Sequence, residues 1–342
     1  MKIAVISDLH LDKRQYRTED GAYNRFEQSG YIAFSQYIDI INKHSPDILL
    51  WAGDMFETAN PSVLAISKMQ AGLDRINVPS LMVLGNHDFS FKNRETMCSS
   101  MQTVRGNIIK LAEYAVEYYH DEKEDILFVL LPFVYDKVEN LNQLWQECEQ
   151  LANIPAKTKI LLTHGITETY GKQFPELSSK YDIPDNLINL FDVVFIGHIH
   201  TPFEYTSGKT LVISPGGLID YQSHESHTGV VFYNTKTKKL KREIIDTPHI
   251  IKVELDETNI NSFLSNVGRY IYNITYTGNV DCIDNDIYIQ AKNTAVNISL
   301  TTSTSSEETN PVEKELDFYK WIELNYPDKK DLFNKAKESL VE

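Results

Sequence analysis

The chain has 342 residues, 42% hydrophobic and 24% charged, the balance of an ordinary globular protein with room for one large core and a smaller module. Its formal net charge of −15 excludes a protein that grips nucleic acid through a general basic face; such contact would need a local patch, bound cations or a second subunit. No apolar run approaches a membrane span, the first residues read as a strand rather than a leader, and Cys98, Cys148 and Cys282 lack metal or disulfide spacing, so a reduced, cytoplasmic, membrane-free protein is expected.

Residues 1 to about 245 alternate strand and helix. KIAVIS (2–7), DILLWA (47–52), SLMVL (80–84), KILL (159–162) and DVVFI (192–196) are continuous apolar runs, as in strands buried on both faces of a mostly parallel sheet. The long polar segment Asp12 to Gly30 follows the first run and carries Arg14, Arg17 and Arg25 with Tyr16 and Tyr23. A loop of that length at a site edge suits substrate binding by the three arginines, and a solvated surface loop fits it equally well. A helical stripe follows at Tyr31, Phe34, Ile38 and Ile41, and a second runs from Val63 to Ile76 with Asn60-Pro61 as its cap and first-turn pair. A third helix is expected over 138–151, and strands without special side chains over 126–133, 210–215 and 229–235. This alternation, wrapped around two sheet layers, predicts a four-layer α/β/β/α sandwich.

From about residue 249 the texture changes: IIKVEL, RYIYNITY, DIYIQ and VNISLTT are short, β-branched and aromatic, and predict a small β-rich module. A Ser/Thr/Glu-rich linker follows, and then two amphipathic helices separated by Pro327. The expected division is 1–247 for the main domain, 248–303 for the small capping domain, 304–312 for the linker and 313–342 for a C-terminal helical hairpin. Such a hairpin cannot bury its own apolar surface, which points to docking on a partner.

The chemistry lies just beyond the apolar runs, in Asp8-Leu9-His10, Gly53-Asp54, Gly85-Asn86-His87-Asp88, Thr163-His164-Gly165 and Gly197-His198-Ile199-His200. Carboxylate, imidazole and amide donors gathered at strand carboxyl ends suit a pair of divalent cations, with Mn2+ first and Mg2+, Fe2+ or Zn2+ as alternatives. Asp54 is expected to bridge, with Asp8, His10 and His200 completing one ion and Asn86, His164 and His198 the other. His87 is assigned to the substrate as a catalytic group, with Asp88 fixing its tautomer. Each segment alone is a weak signal, since a lone His164 or Gly53-Asp54 is commonly structural; all five in order are specific. Ser214-Pro215-Gly216-Gly217 reads as a tight turn rather than a phosphate cradle.

With SDLH, GD, GNHD, THG and GHIH in this order, the chain resembles the calcineurin-like metallophosphoesterase superfamily over residues 1 to about 235. The resemblance implies the same seven metal ligands and His87 as the catalytic histidine. The contexts SDLHL and GDMFE, together with the linker and hairpin, are similar to the SbcD nuclease branch, in its short, bacteriophage-like form. That implies a manganese-dependent nuclease of a DNA repair and recombination complex, acting as double-strand exonuclease and single-strand endonuclease. It further implies a capping domain that contacts DNA, a hairpin that docks on an SbcC-type coiled-coil ATPase, and a homodimer through helices 31–44 or 61–76. The chain departs from the branch at Asp12, where glycine is frequent, and in its short Asn/Thr-rich cap, which bears on DNA contacts. The alternative is a small-molecule or nucleotide phosphodiesterase or phosphatase of the same superfamily. A protein phosphatase fits less well, because Met55-Phe56-Glu57-Thr58 follows Asp54 instead of Asp-Arg-Gly.

Overall fold

The computed structural model describes residues 1–13, 25–88, 107–133, 138–179, 182–219, 229–245, 250–268, 271–295 and 297–302. Arg14, Arg17, the side chain of Arg25, His224, His227, the linker and the C-terminal hairpin lie outside the described residues.

The first sheet contains β1 (Lys2–Ile6), β2 (Ile48–Ala52), β3 (Ser80–Val83) and β4 (Ile108–Ala112), all parallel. The second contains β5 (Glu117–Asp121), β6 (Ile126–Leu131), β7 (Thr158–His164), β8 (Val193–Gly197), β9 (Phe203–Ser207) and β10 (Thr210–Ser214). β11 (Gly229–Asn234) and β12 (Lys239–Ile244) return to the first sheet, so the orders are β12-β11-β1-β2-β3-β4 and β5-β6-β7-β8-β10-β9. In the second sheet β6, β7, β8 and β10 run parallel, with β5 and β9 antiparallel at the edges.

The apolar runs have no polar face because each strand is covered twice. Side chains alternate across a strand, so Ile3, Val5, Leu50 and Val83 enter the core between the sheets and meet Phe128, Leu130, Leu162 and Phe195. Their neighbours Ala4, Ile6, Leu49 and Trp51 face the helix layer instead. There the helix Arg25–His44 presents Phe34, Tyr37, Ile38 and Ile41, and the helix Val63–Leu73 presents Met69 and Leu73. On the far side, Val129, Leu161, Val194 and Val212 pack against Leu144 and Cys148 of the helix Val138–Ala152 and against Ile188 and Phe191. The result is the expected four-layer α/β/β/α sandwich.

Two local expectations change. The second helix is capped by Ser62, whose hydroxyl accepts from Ala65 N, rather than by Asn60 and Pro61. Asp12 holds that cap, accepting from Ser62 N at 2.7 Å and from Ser62 Oγ at 2.8 Å. Asp12 sits at φ 80°, a left-handed conformation that non-glycine residues rarely adopt.

In the small module, β13 (Ile250–Leu255), β14 (Ile271–Tyr276) and β15 (Asn297–Thr302) are parallel. Parallel neighbours need crossovers, and the helices Ile260–Leu264 and Asn285–Thr294 lie between them in sequence. DIYIQ, expected as a strand, is therefore helical: Asp284 caps it by accepting from Asp286 N and Ile287 N, and Ala291 is buried in the module's own core.

Candidate metal centre

Every predicted ligand sits at the carboxyl end of its strand, but on two sheets rather than one. Asp8, His10, Asp54 and Asn86 follow β1, β2 and β3 of the first sheet; His164 ends β7, and His198 and His200 follow β8 of the second. The facing sheets thus aim their turns at one point. Asp8, His10, Asp54 and His198 adopt φ values of 51°, 42°, 55° and 98°. Non-glycine residues there cost about 1–3 kcal/mol each and persist only where packing enforces them. Gly85 is required by proximity: a Cβ there would collide with the carboxylate and amide of Asp54.

Three groups of side chains bring their ligand atoms within 4.8 Å of one another: Asp8, His10 and His200; His10, Asp54 and His87; and Asp54, His164 and His198. Asp54 joins the halves through one oxygen, since Oδ2 lies 3.5 Å from His10 Nε2 and 3.3 Å from His164 Nε2. His10 Nε2 and His200 Nε2 are 3.1 Å apart, and Asp8 Oδ1 is 4.0 Å from the first and 3.9 Å from the second. In the other half, Asn86 Oδ1 is 3.1 Å from His164 Nε2 and 2.8 Å from His198 Nδ1. Asp8 accepts from the backbone N–H of His198 at 3.0 Å, tying the two sheets together across the site.

The hydrogen bonds behind these rings decide what the front can hold. His164 Nδ1 donates to the carbonyl of Ala52 at 2.7 Å, and His10 Nδ1 to the carboxylate of Glu57 at 2.8 Å. Neither acceptor carries a proton to give, so the Nε2 lone pair of each ring faces the centre. Lone pairs crowded beside two buried carboxylates fit divalent cations and little else.

The buried carboxylates and imidazoles also shift one another's hold on protons, and a cation at His164 Nε2 would have to displace the proton that Asp54 favours there. Burial opposes ionisation of Asp54, but the neighbouring His164 outweighs it and holds the carboxyl well below the usual range. Burial also works against charge on His164, and Asp54 overcomes it, pushing the imidazole up to about 9. His198 is driven down to about 4 by burial and then by His164.

His87 joins the centre from its edge. Its backbone N–H donates to Asp54 Oδ1 at 2.8 Å, its ring lies 4.7 Å from that of His10, and its Nδ1 donates to the carbonyl of Glu57 at 2.8 Å. Asp88 does not fix that tautomer. Its carboxylate turns inward, accepting from Phe56 N at 3.0 Å and Gly85 N at 3.1 Å, and so braces the turn that carries Asn86 and His87. Burial, and then the nearby Asp54, push Asp88 up to about 7.

Sequence reasoning overlooked Glu57, whose one signal was a carboxylate three residues beyond a strand-end aspartate. It also overlooked Phe133, whose ring stacks on His198 at 5.7 Å. The 214–217 turn is structural, as read. The Gly217 amide donates to the carbonyl of His200 at 2.9 Å, and Arg242 grips the carbonyls of Ser214 and Pro215 at 3.1 and 2.7 Å.

Residues 1–202 match the model of the calcineurin-like phosphoesterases, which spans all five ligand segments. The chain belongs to the calcineurin-like phosphoesterase family. Within it, the chain is 27% identical over 248 residues to the SbcD component of the nuclease SbcCD of Staphylococcus epidermidis, covering 66% of this chain and 63% of that protein. It is 28% identical over 236 residues to the DNA double-strand break repair protein Mre11 of Saccharolobus solfataricus, covering 67% and 57%. The SbcD component of the nuclease SbcCD from Staphylococcus saprophyticus is 23% identical over 292 residues, covering 76% and 72%. The chain therefore spans less than two thirds of the length of the first two relatives. Among the described residues no helix is long and apolar enough to cross a membrane.

Proposed function

We propose that this phosphoesterase is a manganese-dependent DNA nuclease, with double-strand exonuclease and single-strand endonuclease activity, working as the nuclease subunit of an SbcCD-like repair complex. The observation that carries the reading is the position of Asp54 Oδ2 between His10 and His164, which suits two cations sharing one carboxylate. Asp8, His10 and His200 would hold one cation, Asn86, His164 and His198 the other. Such a pair supplies Lewis acidity to a phosphodiester and lowers the pKa of a coordinated water.

The remaining work falls to the chain. His87 commits Nδ1 to the Glu57 carbonyl, which leaves Nε2 to face substrate. Protonated there, it donates to the leaving ester oxygen and neutralises the developing charge. Asp88 and Asp54 keep the His87 turn in register through main-chain bonds. Arg14, Arg17 and Arg25 would contact phosphates flanking the scissile bond.

The names of the relatives support DNA as substrate and an SbcC-type ATPase as partner, and the amphipathic hairpin expected over 313–342 would be its docking segment. That partner would also add basic DNA surface to a chain whose net charge is −15. A homodimer through the first two helices is favoured by the apolar groove between them, lined by Tyr31, Phe34 and Ile38, with Ile32 on its rim 59% exposed.

The test uses purified protein with Mn2+. We expect degradation of linear duplex DNA from an end and nicking of single strands, both abolished by chelation, with the duplex rate rising on addition of the ATPase and ATP. Cleavage restricted to a small chromogenic phosphodiester would overturn the nuclease reading.

A further inference from the structure

His10 and His164 hold matching places in the two halves of the centre, yet their rings are anchored differently. His164 leans on a main-chain carbonyl, that of Ala52, which no side-chain substitution removes. His10 leans on a side chain, the Glu57 carboxylate, whose Oε2 also lies 3.4 Å from Lys13 Nζ. An anion on the rear N–H of an imidazole strengthens donation from the front nitrogen and locks the ring's orientation. A neutral carbonyl does the second and less of the first.

We propose that Glu57 is the positioning residue of one half only, setting the affinity of the Asp8–His10–His200 group for its cation and leaving the Asn86–His164–His198 group untouched. The proposal rests on the two-cation reading. Glu57 has a second, separable role: its carbonyl orients His87 through the main chain, and that tie survives any change of side chain. Its carboxylate is partly buried beside the centre, in hydrogen-bond contact with the His10 ring. Glu57 thus serves a metal ligand with its side chain and the reacting histidine with its backbone.

The experiment is a calorimetric titration of the metal-stripped full-length chain with MnCl2. The wild type is expected to take up manganese in two steps. Glu57→Ala should weaken one step by about tenfold to a hundredfold and leave the other unchanged. Glu57→Gln keeps an oxygen to accept the Nδ1–H, preserves the fold, and should weaken the same step by about threefold to tenfold. If both variants leave both steps intact, or weaken both equally as a general loss of structure would, the proposal is overturned. A wild type that takes up no manganese would instead overturn the two-cation reading, and this proposal with it.

Discussion

The core between the sheets and the carboxyl edge above it are built from the same strands by opposite means. Inside, Val5, Leu50, Val83, Phe128 and Phe195 fill the space with apolar side chains that need no partner. At the edge, Asp8, His10, Asp54, Asp88 and His164 are almost as buried, and each is matched to a named donor or acceptor, three of them on strained backbone. The difference teaches how the labour is divided. The core supplies the stability that keeps costly conformations in place, and the edge uses them to crowd lone pairs together.

The division can be broken from either side. His87→Asn should lower phosphodiester hydrolysis by about 10²- to 10⁴-fold, the usual weight of a positioned proton donor. Metal content by elemental analysis should stay as in the wild type; a variant that loses metal would move His87 into the ligand set. Phe128→Ala strikes the other side. Phe128 is wholly buried between the sheets, so truncation should cost about 3–5 kcal/mol in urea unfolding while the folded fraction still binds manganese. Metal binding lost in step with that core residue would mean the two regions are not separable. The smallest expected effect is Ser62→Ala, which removes the cap held by Asp12 and should cost about 1 kcal/mol with turnover unchanged.

Much of the fold and the centre is legible in the amino-acid sequence. One polar residue after an apolar run says little, but five such runs in order, each followed by a metal-binding side chain, are specific, because a strand's end is where its direction is set and its cover stops. That is why Asp8, Asp54, Asn86, His164 and His198 group together on sequence grounds alone. Partners across the fold are not legible in the same way. Asp88 follows His87 in sequence, but the turn points its carboxylate at Phe56 and Gly85, and the bond to His87 comes from Glu57, which lies thirty positions away. DIYIQ misleads for a different reason: a five-residue Ile-Tyr-Ile alternation fits both a strand and a helix face. The cap at Asp284 and the need for a crossover decide between them.

The position of β1 has a bearing on how the protein is made. It lies in the middle of its sheet, hydrogen-bonded on one side to β2 and on the other to β11, with Lys2 opposite Asn234. During translation, at about 5–20 residues per second, that second neighbour leaves the ribosome roughly 10–50 s after the first strand. Through this interval an apolar ribbon stands with one flank unpaired, which makes nascent β1 a natural client for a chaperone.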